Sequence, residues 1–139
     1  MHAGTREAAT PEELMRSRFS AFALGLGPYL VRTLARDHED RAELPEAELA
    51  RALSRAKDTR RFVDLCIMHA SMDGDRGEVL FLASVFERGA DRSFAELSSF
   101  VREDGAWRYA SGVLVPTEEL PEDPRSLTAD EVRARAGAA

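Results

Sequence analysis

Cysteine is almost missing: Cys66 stands alone among 139 residues, which excludes a disulfide within the chain and any zinc site made only of cysteines. No apolar run approaches the roughly 20 residues that a bilayer-spanning helix needs. The segment Met1–Thr10 is polar and lacks the apolar core of a signal peptide. Positive charge is in deficit, with 19 basic residues against 25 acidic ones and a net charge of −6. That balance argues against a nucleic-acid groove built on bulk charge and against a polybasic membrane surface. There is no internal repeat and no low-complexity tract beyond the alanine-rich end. What is present is 44% hydrophobic residues, near the globular norm and enough for one buried core. The length fits a single domain with tails. A small acidic protein of the cytoplasm is expected, with no cofactor, no metal, no nucleic acid and no membrane among its partners.

The first strong pattern is a helix start. Thr10 can cap, Pro11 fits the first helical position and Glu13 stands where a capping box places its carboxylate. Leu14, Met15, Phe19, Phe22 and Leu26 then recur on one side at helical spacing. Gly25-Leu26-Gly27 stops this helix, and Pro28 opens a second, shorter one with Leu30, Val31 and Leu34 as its apolar members. Asp37 to Glu43 reads as a charged loop. A third helix is expected from near Pro45, with Leu49, Ala52, Leu53 and Ala56 as its buried stripe.

From Arg60 the period changes to two. Strands are expected over Arg61–Met72, Glu78–Arg88, Ser93–Arg102 and Ala106–Val115, separated by Asp73-Gly74-Asp75-Arg76-Gly77, by Gly89-Ala90-Asp91 and by the tight-hairpin pair Asp104-Gly105. Three helices followed by an antiparallel meander of four or more strands is an α+β pattern, with helices packed on one face of a curved sheet. The domain is expected over 8–116, with tails at 1–7 and 117–139. Thr117–Arg125 reads as an acidic, proline-rich linker, and Thr128 with Glu131 forms a second capping box for a short helix near 128–136.

Two stretches carry a family resemblance. Ala9-Thr10-Pro11-Glu12-Glu13-Leu14-Met15-Arg16-Ser17-Arg18-Phe19-Ser20-Ala21-Phe22 resembles the YchJ-like family of bacterial proteins. So does the late pattern E-x-S-x-F-x-R-E-x-G-x-W-x-Y over Glu96 to Tyr109. With Phe81 and Ala83 between them, the likeness covers about residues 2–112. It implies the nuclear-transport-factor-2-like fold, a cone of helices over a bent sheet, which agrees with the element order read from the residues. Family members typically carry a cysteine-rich zinc motif, of the kind at the C-terminus of the SecA translocation ATPase, just before the position of His2-Ala3-Gly4. This sequence has no ligands to replace it, so the family's zinc-dependent binding does not carry over. Ala95 also stands where the family tends to have histidine, and the aromatic usual near Arg61 is missing.

Arg18 is the most informative residue for function. Leu14, Met15, Phe19 and Phe22 span an arc that contains it, and a guanidinium inside an apolar arc must find acceptors. Alternation puts Glu96, Ser98 and Phe100 on one side of their strand and gives Trp107 and Tyr109 a common side on the next. Glu96 is therefore the expected partner of Arg18 across the cone, with Ser98 and Tyr109 nearby. His69 follows Leu65 and Ile67 on the inward alternation. The candidate pocket is Arg18, Glu96, Ser98, Tyr109, Trp107 and His69, and Phe81, Phe100 and Trp107 are expected to fill it.

Other features have blander readings. Asp73-x-Asp75 with Glu78 lacks the third early acceptor and the distant bidentate Glu of a calcium loop, and its two glycines make a hairpin the better reading. Gly25-x-Gly27 is a helix stop rather than a phosphate loop. Cys66 is expected to be an inert buried thiol, and Arg60 and Arg61 read as solvated charges at a strand edge.

The second face of the sheet should be polar if it meets water. Instead Cys66, Met68, Leu80, Leu82, Phe86, Leu97 and Leu114 alternate towards it. The cover is either a second copy, giving a homodimer with Met68, Leu80, Leu82, Phe86, Leu97 and Leu114 in its interface, or the chain's own tail through Leu120, Leu127 and Val132. The homodimer is the preferred expectation. Two functions follow from different classes: a non-catalytic binding or interaction module that holds a small ligand in the cone, and a small-molecule isomerase, dehydratase or cyclase working by acid/base chemistry there. A filled interior and a paired Glu96 favour the first.

Overall fold

A computed structural model describes residues 1–2 and 6–138. Helix α1 (Pro11–Leu24) begins as its sequence requires: the Glu13 amide donates to the Thr10 hydroxyl at 3.1 Å and Pro11 occupies the first turn. Gly25 ends it in the left-handed region at φ 71°, a conformation that glycine adopts without strain. Helix α2 (Gly27–Arg32) follows at once. A side chain at Gly27 would overlap the Ala50 carbonyl, and the Gly27 amide donates to the Ser54 hydroxyl at 2.9 Å. This glycine thus sets how closely α2 lies on the next helices.

The stretch expected to be a charged loop contains a one-turn helix, α3 (Asp40–Glu43). Its order comes from Arg41, whose guanidinium donates to the carbonyls of Val31, Leu34 and Ala35 at 2.8 to 2.9 Å and so ties it to the end of α2. The expected third helix is broken at Arg55 into α4 (Glu46–Ser54) and α5 (Ala56–Thr59). Leu49 is buried as expected, whereas Ala52 is exposed.

The sheet is antiparallel throughout. Strands β1 (Arg60–Asp73), β2 (Arg76–Glu87), β4 (Phe94–Glu103) and β5 (Ala106–Val115) lie in the order β1-β2-β4-β5, and the two-residue β3 (Ala90–Asp91) pairs with the end of β2. The fold is α+β, with the amino-terminal helices packed against one face of this sheet. On that inner face Leu14 and Met15 of α1 meet Val79, Phe81, Ala83, Val85, Phe100 and Trp107. Among the described residues, no helix is long and apolar enough to cross a membrane.

Three β-bulges decide which side chains face which way. β1 carries extra residues at Val63 and Met68, and β5 carries one at Ala110. Each insertion reverses the phase beyond it. His69 therefore pairs with Leu80 on the outer face instead of ending the inward row of β1. Leu114 is likewise corrected: it pairs with Glu96 on the helix side and is half exposed, while Val113 and Val115 take the outer face.

That outer face is covered from within the chain. After Val115 the backbone makes two short 3₁₀ turns, Thr117–Glu119 and Pro124–Ser126, and enters α6 (Ala129–Ala138). The capping box forms as the sequence implies: the Thr128 amide donates to Glu131 at 3.0 Å and the Glu131 amide to the Thr128 hydroxyl at 3.2 Å. Leu127 and Val132 are buried against Leu80, Ala95, Leu97 and Val115, with Met68, Leu82 and Leu120 packed at the margin. Arg133 pairs with Glu78 at the rim. Phe86 lies beyond the reach of this cover and stays partly exposed.

Candidate functional site

Between α1, the α3 to α5 segment and the inner face of the sheet lies an open cleft of about 700 Å³. Phe81, Phe100 and Trp107 were expected to fill the cone. They pack into the core beneath α1, but only Phe81 reaches the cleft, whose apolar wall is made with Phe19, Phe22, Phe62 and Phe94. The cleft exists because β5 offers little bulk there: Ala110, Ser111 and Gly112 line it. Gly112 is decisive, since a β-carbon on it would overlap the Glu96 carboxylate and come within 2.7 Å of the Tyr109 hydroxyl.

The polar end is organised around Tyr109. The chain leaving α2 pairs with β5 in a short parallel bridge, in which the Tyr109 amide donates to the Thr33 carbonyl and the Ala35 amide to the Tyr109 carbonyl, both at 2.8 Å. The same α2 end holds Arg18, which is 4% exposed. Its Nη1 donates to the Leu30 carbonyl at 2.8 Å and to the Thr33 hydroxyl at 2.5 Å. The guanidinium lies over the Tyr109 ring, 4.9 Å from its centre. At the edge of that ring, the Tyr109 hydroxyl donates to Glu96 Oε2 at 2.8 Å, and the buried Ser98 hydroxyl donates to the same oxygen.

Arg18 and Glu96 were expected to pair directly. Among the described residues Arg18 has no carboxylate within 4.0 Å; its partners are a main-chain carbonyl, a hydroxyl and an aromatic face. Tyr109 touches both groups, Arg18 through its ring face and Glu96 through its hydroxyl. Burial pulls the Arg18 pKa down to about 10, while Tyr109 and Glu96 act in the opposite direction. Burial likewise pushes the Tyr109 hydroxyl well above the usual tyrosine range, and the neighbouring Glu96 charge adds to the effect. Tyr109 is therefore a hydrogen-bond donor at physiological pH.

Of the six residues expected in the pocket, Arg18, Glu96 and Tyr109 line the cleft. Ser98 lies behind Glu96 and fixes its carboxylate. Trp107 is buried in the core, where Arg102 stacks on it at 4.6 Å. His69 is on the opposite face, 3.9 Å from Glu78. Sequence reasoning missed Thr33 and the Asp37–Asp40 rim of the cleft, where the Tyr109 ring meets His38 with ring centres 5.5 Å apart. It also missed Gly112, which only the register of β5 makes visible. Among the described residues no group of three or more His, Cys, Asp or Glu could hold a metal ion.

The family model of YchJ, middle NTF2-like domain, matches residues 10–112. A UPF0225 protein of Vibrio vulnificus strain YJ016 is 37% identical over 116 residues, covering 84% of this chain and 66% of that protein. A UPF0225 protein of Deinococcus radiodurans is 40% identical over 111 residues, covering 78% of this chain and 72% of that one. The chain thus spans about two thirds of the length of the Vibrio vulnificus relative. Among solved structures, a SEC-C motif containing protein from Rhodopseudomonas palustris superposes with a TM-score of 0.67 at 35% identity, over 79% of this chain and 82% of that one. A second SEC-C motif containing protein, from Psychrobacter arcticus, shares the fold with a TM-score of 0.63 at 24% identity, over 79% and 66% of the two chains.

Proposed function

The chain belongs to the YchJ family, and on that premise we propose that it is a binding module whose cone holds a small amphipathic ligand with an anionic head, without catalysing a reaction. One observation carries this reading: a buried guanidinium with no carboxylate partner among the described residues stands at the polar end of an aromatic-walled cleft of about 700 Å³. An uncompensated buried charge is costly, and a ligand carboxylate, sulfonate or phosphate at Arg18 removes that cost. Nη2 and Nε of Arg18 are engaged by none of the protein groups that hold Nη1, so they are the donors left for the ligand. The apolar body of the ligand lies along Phe19, Phe22, Phe62, Phe81 and Phe94. Glu96 Oε1, free of the bonds that occupy Oε2, takes a donor group of the ligand.

Two dyes that differ by a single charge test this. 1-Anilinonaphthalene-8-sulfonate carries a sulfonate on the aromatic body of neutral N-phenyl-1-naphthylamine. The wild-type chain is expected to bind the sulfonate about tenfold more tightly or better, and Arg18→Met to abolish the difference while still binding the neutral dye. Equal preference in the two proteins overturns the reading.

A second reading, the isomerase, dehydratase or cyclase, is favoured by the Glu96 carboxylate opening on the cleft beside the Tyr109 hydroxyl. It requires turnover of a cleft-bound molecule that Glu96→Gln removes without weakening binding.

For the outer sheet face we assign the chain's own tail as the cover in place of the expected homodimer, because Leu127 and Val132 occupy the site that a second copy would take. Light scattering on the full chain is expected to give the 15.4 kDa monomer mass. A dimer mass overturns this assignment without touching the cleft.

A further inference from the structure

Where β1 begins and β2 ends, the outer face of the sheet escapes the tail. Val63 and Phe86 lie open there, 53% and 39% exposed, and floor a groove of about 580 Å³. Each is on this face for a structural reason. Val63 is the extra residue of the first β1 bulge, and Phe86 follows Leu80 and Leu82 on the outward alternation of β2. A β-branched residue turned to solvent by a bulge, beside an exposed phenylalanine, is an apolar surface held in place by backbone geometry.

The walls of this groove are cationic. Lys57, Arg60, Arg61 and Arg88 line it against a single acid, Asp58, in a chain whose net charge is −6. Lys57 and Arg60 lie 3.8 and 3.7 Å from Asp58 and Glu87. Among the described residues, Arg61 and Arg88 have no carboxylate within 4.0 Å. Arg88 occupies the turn between β2 and β3 at φ 51°, next to Gly89 at φ 81°. That left-handed conformation suits asparagine or glycine better than arginine, so the long cation stands there against the local backbone preference.

We propose that this groove docks an acidic segment of a partner protein, one in which aspartates or glutamates flank one or two large apolar residues. The apolar side chains settle on Val63 and Phe86, and the carboxylates meet Arg61 and Arg88. Charge complementarity selects this occupant. A second copy of the chain brings six net negative charges of its own but is repelled over the rest of its surface by the same charge. A nucleic-acid strand needs a longer cationic track and stacking faces in series, and four cations around a compact apolar floor do not supply one. A lipid surface calls for apolar tips that project, whereas here they form the floor of a concavity. The groove is independent of the cleft, with which it shares Arg60 alone.

The test uses the full chain and a fluorescein-labelled dodecapeptide of aspartate and glutamate with a Leu-Phe pair at its centre, followed by anisotropy. Two control peptides replace the acids with lysine or the Leu-Phe pair with serines. The acidic, apolar peptide is expected to bind, each control to bind about tenfold more weakly or worse, and added salt to weaken the complex. Arg61→Glu with Arg88→Glu, and separately Phe86→Ser, are expected to lower affinity about tenfold with an unchanged circular dichroism spectrum, since these side chains are exposed. Four results overturn the proposal. They are equal binding of the serine-centred peptide, full affinity in the charge-reversed variant, tighter binding of oligothymidylate or phosphatidylglycerol vesicles through the same residues, and self-association of the chain that the charge reversal removes.

Discussion

Arg18 and Tyr109 share one contact but respond to pH in opposite senses. The Arg18 pKa is lower in the folded chain, about 10 against 12.5, so at neutral pH its charge opposes folding by on the order of 3 kcal/mol. That opposition fades as pH rises through the folded value. Replacing the charge with a neutral chain of similar length should therefore do no harm. Arg18→Met is expected to match the parent or exceed it by about 1–2 kcal/mol in urea unfolding, because the Thr33 hydroxyl keeps its own bond to the Tyr29 carbonyl at 2.9 Å. Tyr109 is raised on folding, so its contribution is intact below the ordinary tyrosine value of 10.0 and is lost as pH climbs beyond it. Tyr109→Phe should lose less stability than the parent above pH 10, measured by the same unfolding experiment. The seat of Arg18 among Leu14, Met15, Phe19 and Phe22 can be read from helical spacing. Its acceptors cannot: a main-chain carbonyl of α2 and the hydroxyl of Thr33 just after it leave no pattern in a sequence, whereas a carboxylate on a facing strand invites a pairing that Tyr109 takes up instead by donating its hydroxyl to Glu96.

At the scale of elements, the bulges explain most of what periodicity misplaced. His69 and Leu114 were each assigned a face by counting in twos, and each lies beyond an inserted residue. Nothing in Met68-His69 or Leu114-Val115 marks the reversal, because either phase offers a plausible side chain to either face. The helix starts were legible because their signals are local: Thr10 with Pro11, and Thr128 with Glu131, act within one turn. Helix α3 was not, since it depends on the tertiary bonds of Arg41. Two predictions belong here. Gly112→Ala puts a β-carbon onto Glu96 and Tyr109, and should cost about 1–3 kcal/mol in stability and weaken sulfonate dye binding. Val132→Asp sets a carboxylate against Leu80, Ala95 and Leu97, and should cost about 3 kcal/mol. Light scattering should then show self-association through the bared face. An unaltered, monomeric Val132→Asp protein would mean that α6 is not the cover.

The whole molecule is a sheet used on both sides. Its inner face carries α1, the main core and the cleft, and its outer face is split between the docked tail and the cationic groove. Alternation foretold that both faces would be apolar, and hence that a second copy or the tail through Leu120, Leu127 and Val132 must cover the second, but it could not choose between them, since either cover presents apolar side chains to the same face. Acidic residues at the cleft mouth, among them Asp37, Glu39 and Asp40, and Arg61 and Arg88 at the groove give the two hollows opposite outward charge. An anionic aromatic dye finds an arginine and an apolar surface at both, so the decisive measurement must locate it. Amide and arginine side-chain shifts in a nitrogen–proton correlation spectrum, followed while 1-anilinonaphthalene-8-sulfonate is added, do so directly. Binding in the cleft is expected to shift Arg18 Nε and the amides of Met15, Glu96 and Gly112; shifts confined to Val63, Phe86 and Arg88, with Arg18 Nε unmoved, would show that the cleft does not hold the anion.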